Sequence, residues 1–249
     1  MVAKNYLKKT MKKILFTGGN GLLGREFKKL VVEGLYPTHR EFDVTNYKAM
    51  EEYLKNKEVS SIVHAAAFIS PPRVDSDPLL ALETNINGTV NVVKLCIEYN
   101  LKIIYINSDY IFKGDKGRYK EEDPVYPVNK YGWSKLGGEC AVRMYDNSLI
   151  IRTTFGPNEF PYDNAFIDQW TSREKVSVIA DLIIKLIKKH AVGVYHVGGK
   201  RKTVFEYAKK VSPSKNTGKI ARKDVPFKLP KDTSLDCSKQ NKLLKIKIK

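Results

Sequence analysis

Three glycines, one tyrosine–lysine pair and one serine carry the chemistry that this chain can be read for. The run Thr17-Gly18-Gly19-Asn20-Gly21-Leu22-Leu23-Gly24 sets glycines at 18, 21 and 24. It follows KKILFTG (12–18), which reads as a buried strand, and opens LLGREFKKLVVEG (22–34), which reads as a helix closed by Gly34. In such a strand–turn–helix, Gly18 allows a tight turn, Gly21 lets the backbone approach a pyrophosphate, and Gly24 lets the helix pack closely on the strand. The helix N-terminus adds free N–H groups and positive potential for phosphate oxygens. Gly18, Asn20, Gly21, Leu22, Leu23 and Gly24 are therefore expected to hold a dinucleotide.

The second constellation is Tyr131-Gly132-Trp133-Ser134-Lys135, a YxxxK that puts both side chains on one helix face. Three such pairs occur, so position must choose among them. Tyr126 precedes Pro127, which disfavours helix there. Tyr53/Lys57 falls on what reads as a surface helix. Tyr131 starts the helix after KIIYINS (102–108), a strand that ends in Ser108, beside the same sheet edge as the glycine loop. Hydride addition to a ketone leaves a developing alkoxide, which needs a proton. A tyrosine of ordinary pKa near 10 is too weak an acid unless an ammonium stabilises its phenolate. Lys135 would do that and could hold a nicotinamide ribose, and Ser108 would hydrogen-bond the carbonyl oxygen.

The region expected to select the cofactor reads Tyr36-Pro37-Thr38-His39-Arg40-Glu41. His39 and Arg40 could pair with a 2′-phosphate, which favours NADP (NADPH). Glu41 leaves NAD open, because an acid in this region holds ribose hydroxyls.

These groups must be positioned by alternating strands and helices. Further strands are expected at 35–38, 59–67, 148–153 and 193–199, and helices at 47–56, 79–99, 129–145, 178–190 and 204–211. Near-continuous apolar strands alternating with helices predict an α/β, doubly wound (Rossmann) parallel sheet, with ligands at its carboxyl edge. Residues 154–177 and 212–249 break the rhythm and predict a small, reduced C-terminal substrate lobe with a basic tail. Residues 11–153 and 178–211 would form the dinucleotide-binding domain, and residues 1–10 a disordered lead-in.

Composition narrows the field. Hydrophobic residues at 42% suffice for a core, which excludes wholesale disorder. No run approaches eighteen apolar residues, so no membrane-spanning helix is expected, and MVAKNYLKKTMKK does not read as a secretory signal. Three cysteines without a CxxC and four scattered histidines predict neither disulfides nor a metal site, and fit a cytoplasmic location. The net charge of +17 favours anionic partners, with much of the excess in Lys200–Lys249. No aromatic-rich RNA signature accompanies it, so nucleic acid is not the expected partner.

Together these residues resemble the extended short-chain dehydrogenase/reductase family, in its dTDP-4-dehydrorhamnose reductase branch. The shared pieces are TGGNGLLG (17–24), REFDVTN (40–46), VHAAA (63–67), TNINGTVNVVKLC (84–96), INSDYIFKG (106–114), YGWSKLGGE (131–139), IIRTTFG (150–156), YHVGGKRK (195–202) and DTSLD (232–236). The resemblance implies NAD(P)H-dependent reduction of a 4-keto-6-deoxy sugar nucleotide, with Tyr131 as acid, Lys135 as its partner and Ser108 as carbonyl ligand. It puts Asp43 and Val44 near the adenine and lines the cofactor groove with Ala65, Ala66 and Ala67. Dehydratases of the family carry Glu, and epimerase-reductases Cys, where Tyr110 stands, which favours simple reduction.

The chain is shorter than this branch between Phe155 and Val178, where a substrate-lobe helix is missing. Asp109, Tyr110, Arg152, Phe155, Asn158 and Arg173 are the candidate substrate contacts. Cys96 and Cys140 read as packing residues. The expected partners are a nucleotide-sugar substrate and, as an option, a second copy in a homodimer. Three alternatives remain at this point: a non-catalytic dinucleotide-binding subunit like the regulatory companion of methionine adenosyltransferase, an epimerase or dehydratase of the same family, and a nucleic-acid binder using the basic tail.

Overall fold

The computed structural model describes residues 13–246. The expected lead-in over residues 1–10 lies outside them. In chain order the main elements are β1 (Lys13–Thr17), α1 (Leu22–Leu30), α2 (Tyr47–Leu54), β2 (Val59–His64), α3 (Pro71–Ser76), α4 (Pro78–Ala81), a π-helix (Leu82–Asn87) and α5 (Gly88–Glu98). There follow β3 (Lys102–Ser108), α6 (Lys130–Val142), β4 (Ser148–Thr153), α7 (Val176–Lys188), β5 (Gly193–Val197), α8 (Val204–Val211) and α9 (Ser238–Leu244).

The five strands pair in parallel in the order β1-β2-β3-β4-β5. Successive side chains leave opposite faces of a strand, so each strand feeds two cores. Phe16, Val63, Ile104, Ile106, Leu149 and Ile151 meet α1 and α7 on one face. Leu15, Ile62, Ile103, Tyr105 and Ile150 meet α2, α5 and α6 on the other. The α/β Rossmann sheet read from the sequence is the one observed.

Several expected elements differ: α1 ends at Leu30 with Val31 as its C-cap, short of Gly34, and β2 ends at His64, short of Ala67. The strand at 35–38 shrinks to one parallel bridge, Leu35 to Leu15. Phe16 N donates to Leu35 O at 2.8 Å and Leu35 N to Ile14 O at 2.9 Å. Pro37, two residues on, has no N–H to extend the ladder. β1 thus lies between Leu35 and β2, where the winding reverses and ligand crevices open. The helix expected over 79–99 is preceded by α3 and divided into α4, the π-helix and α5. Pro71 and Pro78 are the first residues of α3 and α4, where a missing N–H costs nothing, so each starts a new short helix. Cys96 is buried as expected, but Cys140 is exposed, on the outer side of α6.

Residues beyond the sheet form short ladders. Phe155–Gly156 pairs with Glu174–Lys175, Asn164–Phe166 with Gly218–Ile220, and Trp170–Thr171 with Lys202–Thr203. Phe160 and Ala165 share a small core with Val204, Tyr207, Ala208 and Val211, so α8 packs with this region. The basic C-terminal run is more than a charged tail. Thr233 and Ser234 are buried, and Leu243 and Leu244 of α9 pack on the main core.

Candidate active site

The glycine loop leaves β1 through Gly18, at φ +73°, where a Cβ would stand 3.0 Å from Ala66 N. Gly21 N donates back to Gly18 O at 2.9 Å. A Cβ on Gly24 would meet the Cα and O of Gly19 at 2.5 Å, so this glycine serves the turn itself rather than the packing of helix on strand. Gly21 caps α1 without a side-chain hydrogen bond, and the first turn holds no acid. The N–H groups at that end therefore look for an external acceptor. This cradle fits a dinucleotide's pyrophosphate.

The wall beside it is tied down by a chain of hydroxyls and one imidazole. Thr17 Oγ1 accepts from Ala65 N (3.2 Å) and Ala66 N (3.0 Å) and lies 2.9 Å from His64 Nδ1. His64 Nε2 lies 3.0 Å from Thr89 Oγ1, which donates to Asn85 O at 2.8 Å. Burial, and then the Lys135 charge, push the His64 pKa down to about 3, so the ring stays neutral.

A groove of about 720 Å³ runs from this loop along the carboxyl ends of the strands. Gly18, Asn20, Gly21, Leu22, Leu23 and Gly24 line one end, with His39, Val44 and Ala65, Ala66 and Ala67 beside them. Ser108, Asp109, Tyr110, Tyr131 and Lys135 line it beyond these, as do Phe155, Tyr162 and Arg173.

Four candidates lie elsewhere. Arg40 is exposed outside the groove. Asp43 accepts from Thr45 N and Oγ1 and stands 3.7 Å from His39 Nε2. Arg152 is buried in the scaffold: Nε and Nη2 reach Glu139 at 3.1 and 2.7 Å, and Nη1 reaches Glu121 O at 3.0 Å. Asn158 donates to Glu26 and accepts from Ser177, fastening α1 to the start of α7.

Ser108 ends β3 with its N–H on Asn107 Oδ1 (2.7 Å) and its Oγ on Asp109 Oδ1 (3.2 Å). Asn107 Nδ2 donates to Glu139 Oε2 at 2.6 Å, so the Arg152–Glu139 pair below the groove fixes the strand end that aims Ser108. Asn85 joins the two walls: its amide brackets the Phe68 backbone at 2.7 and 2.9 Å and donates to Ser134 Oγ at 2.8 Å, one residue before Lys135.

Burial pushes the Tyr131 pKa up to about 12, against the Ser108 hydroxyl bond that lowers it. Burial pushes Lys135 down to about 7, against the Glu139 charge that raises it. Lys135 Nζ sits 4.4 Å from the centre of the Tyr105 ring. The Ser108 hydroxyl is the group that favours the Tyr131 phenolate here.

Two contributors escaped the sequence reading. Thr233 Oγ1 donates to Asp109 Oδ2 at 2.6 Å, and Gln169 Nε2 donates to the Tyr110 hydroxyl at 2.9 Å. DTSLD (232–236) was a visible signal for the first. Gln169 offered none. Burial raises Asp109 to about 6, against the Thr233 and Ser108 hydrogen bonds and the Arg173 charge. Among the described residues no cluster of acidic, histidine or cysteine side chains is placed to hold a metal, and no helix is long and apolar enough to cross a membrane.

The family model of the RmlD substrate binding domain matches residues 11–182. The dTDP-4-dehydrorhamnose reductase of Aggregatibacter actinomycetemcomitans is 32% identical over 70% of this chain, and the match spans 62% of that protein's length. Methionine adenosyltransferase 2 subunit beta of Rattus norvegicus is 28% identical over 92% of this chain and 81% of its own. The crystal structure of dTDP-4-dehydrorhamnose reductase from Bacillus anthracis in complex with NADP superposes with a TM-score of 0.82 at 25% identity, covering 92% of this chain and 90% of that one.

Proposed function

The chain belongs to the RmlD substrate binding domain family, and from that premise we propose that it is an NAD(P)H-dependent reductase acting on the keto group of a 4-keto-6-deoxy sugar nucleotide. The observation that carries this reading is the convergence of Ser108, Tyr131 and Lys135 on the groove that begins at the glycine loop. A nicotinamide dinucleotide held there would supply hydride. Tyr131 then delivers its phenolic proton to the carbonyl oxygen while Ser108 turns its hydroxyl from Asp109 to the same atom. The negative charge passes from alkoxide to phenolate, where Ser108 continues to solvate it. Lys135 lies one turn along α6, close enough to hold the ribose of the cofactor and to add its charge when protonated.

NADPH is the favoured cofactor. Glu41 is turned back onto Thr38 N (2.7 Å) and Oγ1 (2.8 Å), so this acid is occupied within its own loop, while His39 lines the groove. Tyr110 argues against carbon-acid chemistry: burial pushes its pKa up to about 12, and Gln169 is its hydrogen-bond partner.

The test follows NADPH absorbance with a panel of 4-keto-6-deoxy sugar nucleotides, with Tyr131→Phe as the control. Turnover that the variant loses supports the reading. Wild type and variant equally inert across the panel would favour a second reading, a non-catalytic dinucleotide-binding subunit. Its specific support is the likeness to the rat subunit over 92% of the chain.

A further inference from the structure

Four arginine side chains are committed to carboxylates. Arg152 and Arg143 hold Glu139, Arg201 holds Asp232, and Arg222 holds Asp168. Arg173 differs. Its guanidinium makes no hydrogen bond or ion pair with any described residue, and its buried Nε has no partner. Its nearest ring is Tyr207, 5.9 Å from Cζ.

The backbone that launches this side chain is rigid. Arg173 N donates to Thr171 Oγ1 at 3.1 Å, and Lys202 Nζ donates to Arg173 O at 2.9 Å. Ser172 beside it is fully buried and exchanges hydrogen bonds with Leu235 at 2.9 and 3.1 Å. Nor does Asp109 serve as the missing partner. The charge of Arg173 acts on Asp109 and Tyr110, yet the Asp109 oxygens are taken by Ser108 and Thr233.

A buried donor without an acceptor is costly, and folded chains keep few of them. The cost is explained if a ligand supplies the acceptor. Apart from His39, the cations among the described residues lining the groove are Lys135 and Arg173, and Lys135 lies over the Tyr105 ring. That leaves one fixed, uncommitted positive charge at the substrate end, on a planar fork suited to two oxygens of one anionic group.

The geometry points to Arg173 as the anion-docking residue of this groove, gripping a phosphoryl or carboxylate group of a ligand whose carbonyl lies at Ser108 and Tyr131. This inference rests on the reading of the groove as a substrate site. The two oxyanions share the chemistry, and the ligand arms of the test separate them.

Calorimetric titration with dTDP, inorganic pyrophosphate and malonate, with and without NADP+, tests it on wild type, Arg173→Lys, Arg173→Gln and Arg173→Met. Loss of one bidentate, charge-assisted contact predicts about ten- to a hundredfold weaker binding to the Gln and Met variants. Lys should retain part of the affinity, and NADP+ binding should stay within about twofold. Pyrophosphate and dTDP binding without malonate identifies a phosphoryl anchor. Malonate binding as tightly identifies a carboxylate anchor. Without ligand, Arg173→Met should melt no lower than wild type, because an unsatisfied donor has been removed. The inference is overturned if Arg173→Gln binds the three anions like wild type, if wild type binds none at millimolar concentration, or if Arg173→Met only loses stability. Because the readout is equilibrium binding, a failure of turnover in the Tyr131 experiment leaves this test intact, and its failure leaves that one intact.

Discussion

The two ends of the groove are made of different material. At the dinucleotide end the protein offers backbone: a left-handed Gly18, a turn closed from Gly21 to Gly18, and an uncapped α1. At the substrate end it offers side chains from distant segments, with Ser108 and Asp109 from the end of β3, Tyr131 from α6, Arg173 from the ladder before α7, and Thr233 behind them from the C-terminal run. The first end should fail through shape and the second through chemistry. Each variant below should move one end and spare the other.

Tyr131→Phe should have the largest effect. In the role proposed for it, removing the general acid costs about 10²–10⁴ in rate. NADPH affinity, measured by fluorescence titration, should stay within about twofold, because the pyrophosphate cradle is untouched. Equal losses in kcat and in cofactor binding would mean that the two ends are not separable.

Asp109 gives the substrate end a pH signature. Burial raises its carboxyl from an ordinary 3.8 to about 6 in the folded chain. The folded state therefore keeps a proton that the unfolded state has released. The stability this brings is fully present below pH 3.8 and is lost as pH rises through 6. Two units correspond to about 3 kcal/mol. Asp109→Asn does not titrate, so the melting temperature of wild type minus that of the variant should fall by about 6–12 °C from pH 4 to pH 8. A flat difference would place Asp109 in contact with water and undo the picture of a dry, side-chain-built end.

The contrast also explains what could be read before the structure. The strands at 102–108 and 148–153 and the helix at 204–211 were legible to the residue, because continuous apolar runs and a Thr203 capping box are local signals. The glycine loop was legible for the same reason. Leu35 was not: an apolar segment before a proline looks like a strand, but its pairing depends on the ladder it meets. The short helices α3 and α4 have visible starts in Pro71 and Pro78. The π-helix was not visible, since its extra residue answers to the fit of Asn85 against Phe68 and Ser134. At the substrate end, Arg152 looked like a ligand contact and is a partner of Glu139, whereas Thr233 looked like tail. A lone polar residue carries no record of which distant segment it meets.

Gly24→Ala tests the backbone end directly. The added methyl would meet Gly19 backbone atoms at 2.5 Å, with no flexible side chain to yield. Overpacking of this kind costs about 1–3 kcal/mol, or a fall in melting temperature of about 2–12 °C for a chain of this size. NADPH binding should weaken with it, while the Asp109 signature persists in whatever remains folded.

The smallest expected effect is at His39, and its smallness is informative. His39 lines the groove from within the segment expected to choose between cofactors, yet its side chain is 81% exposed and its neighbour is Asp43 at 3.7 Å. Contacts between exposed charges contribute about 0.2–1 kcal/mol, so His39→Ala should raise the KM for NADPH by less than about fivefold and leave that for NADH unchanged. The ratio of the two kcat/KM values, measured at low and at 0.5 M salt, checks this, since an exposed contact with a 2′-phosphate should fade with screening. A salt-independent loss of tenfold or more would mean that a side chain, rather than the backbone cradle, does the binding at this end, and the division between the two halves of the groove would have to be redrawn.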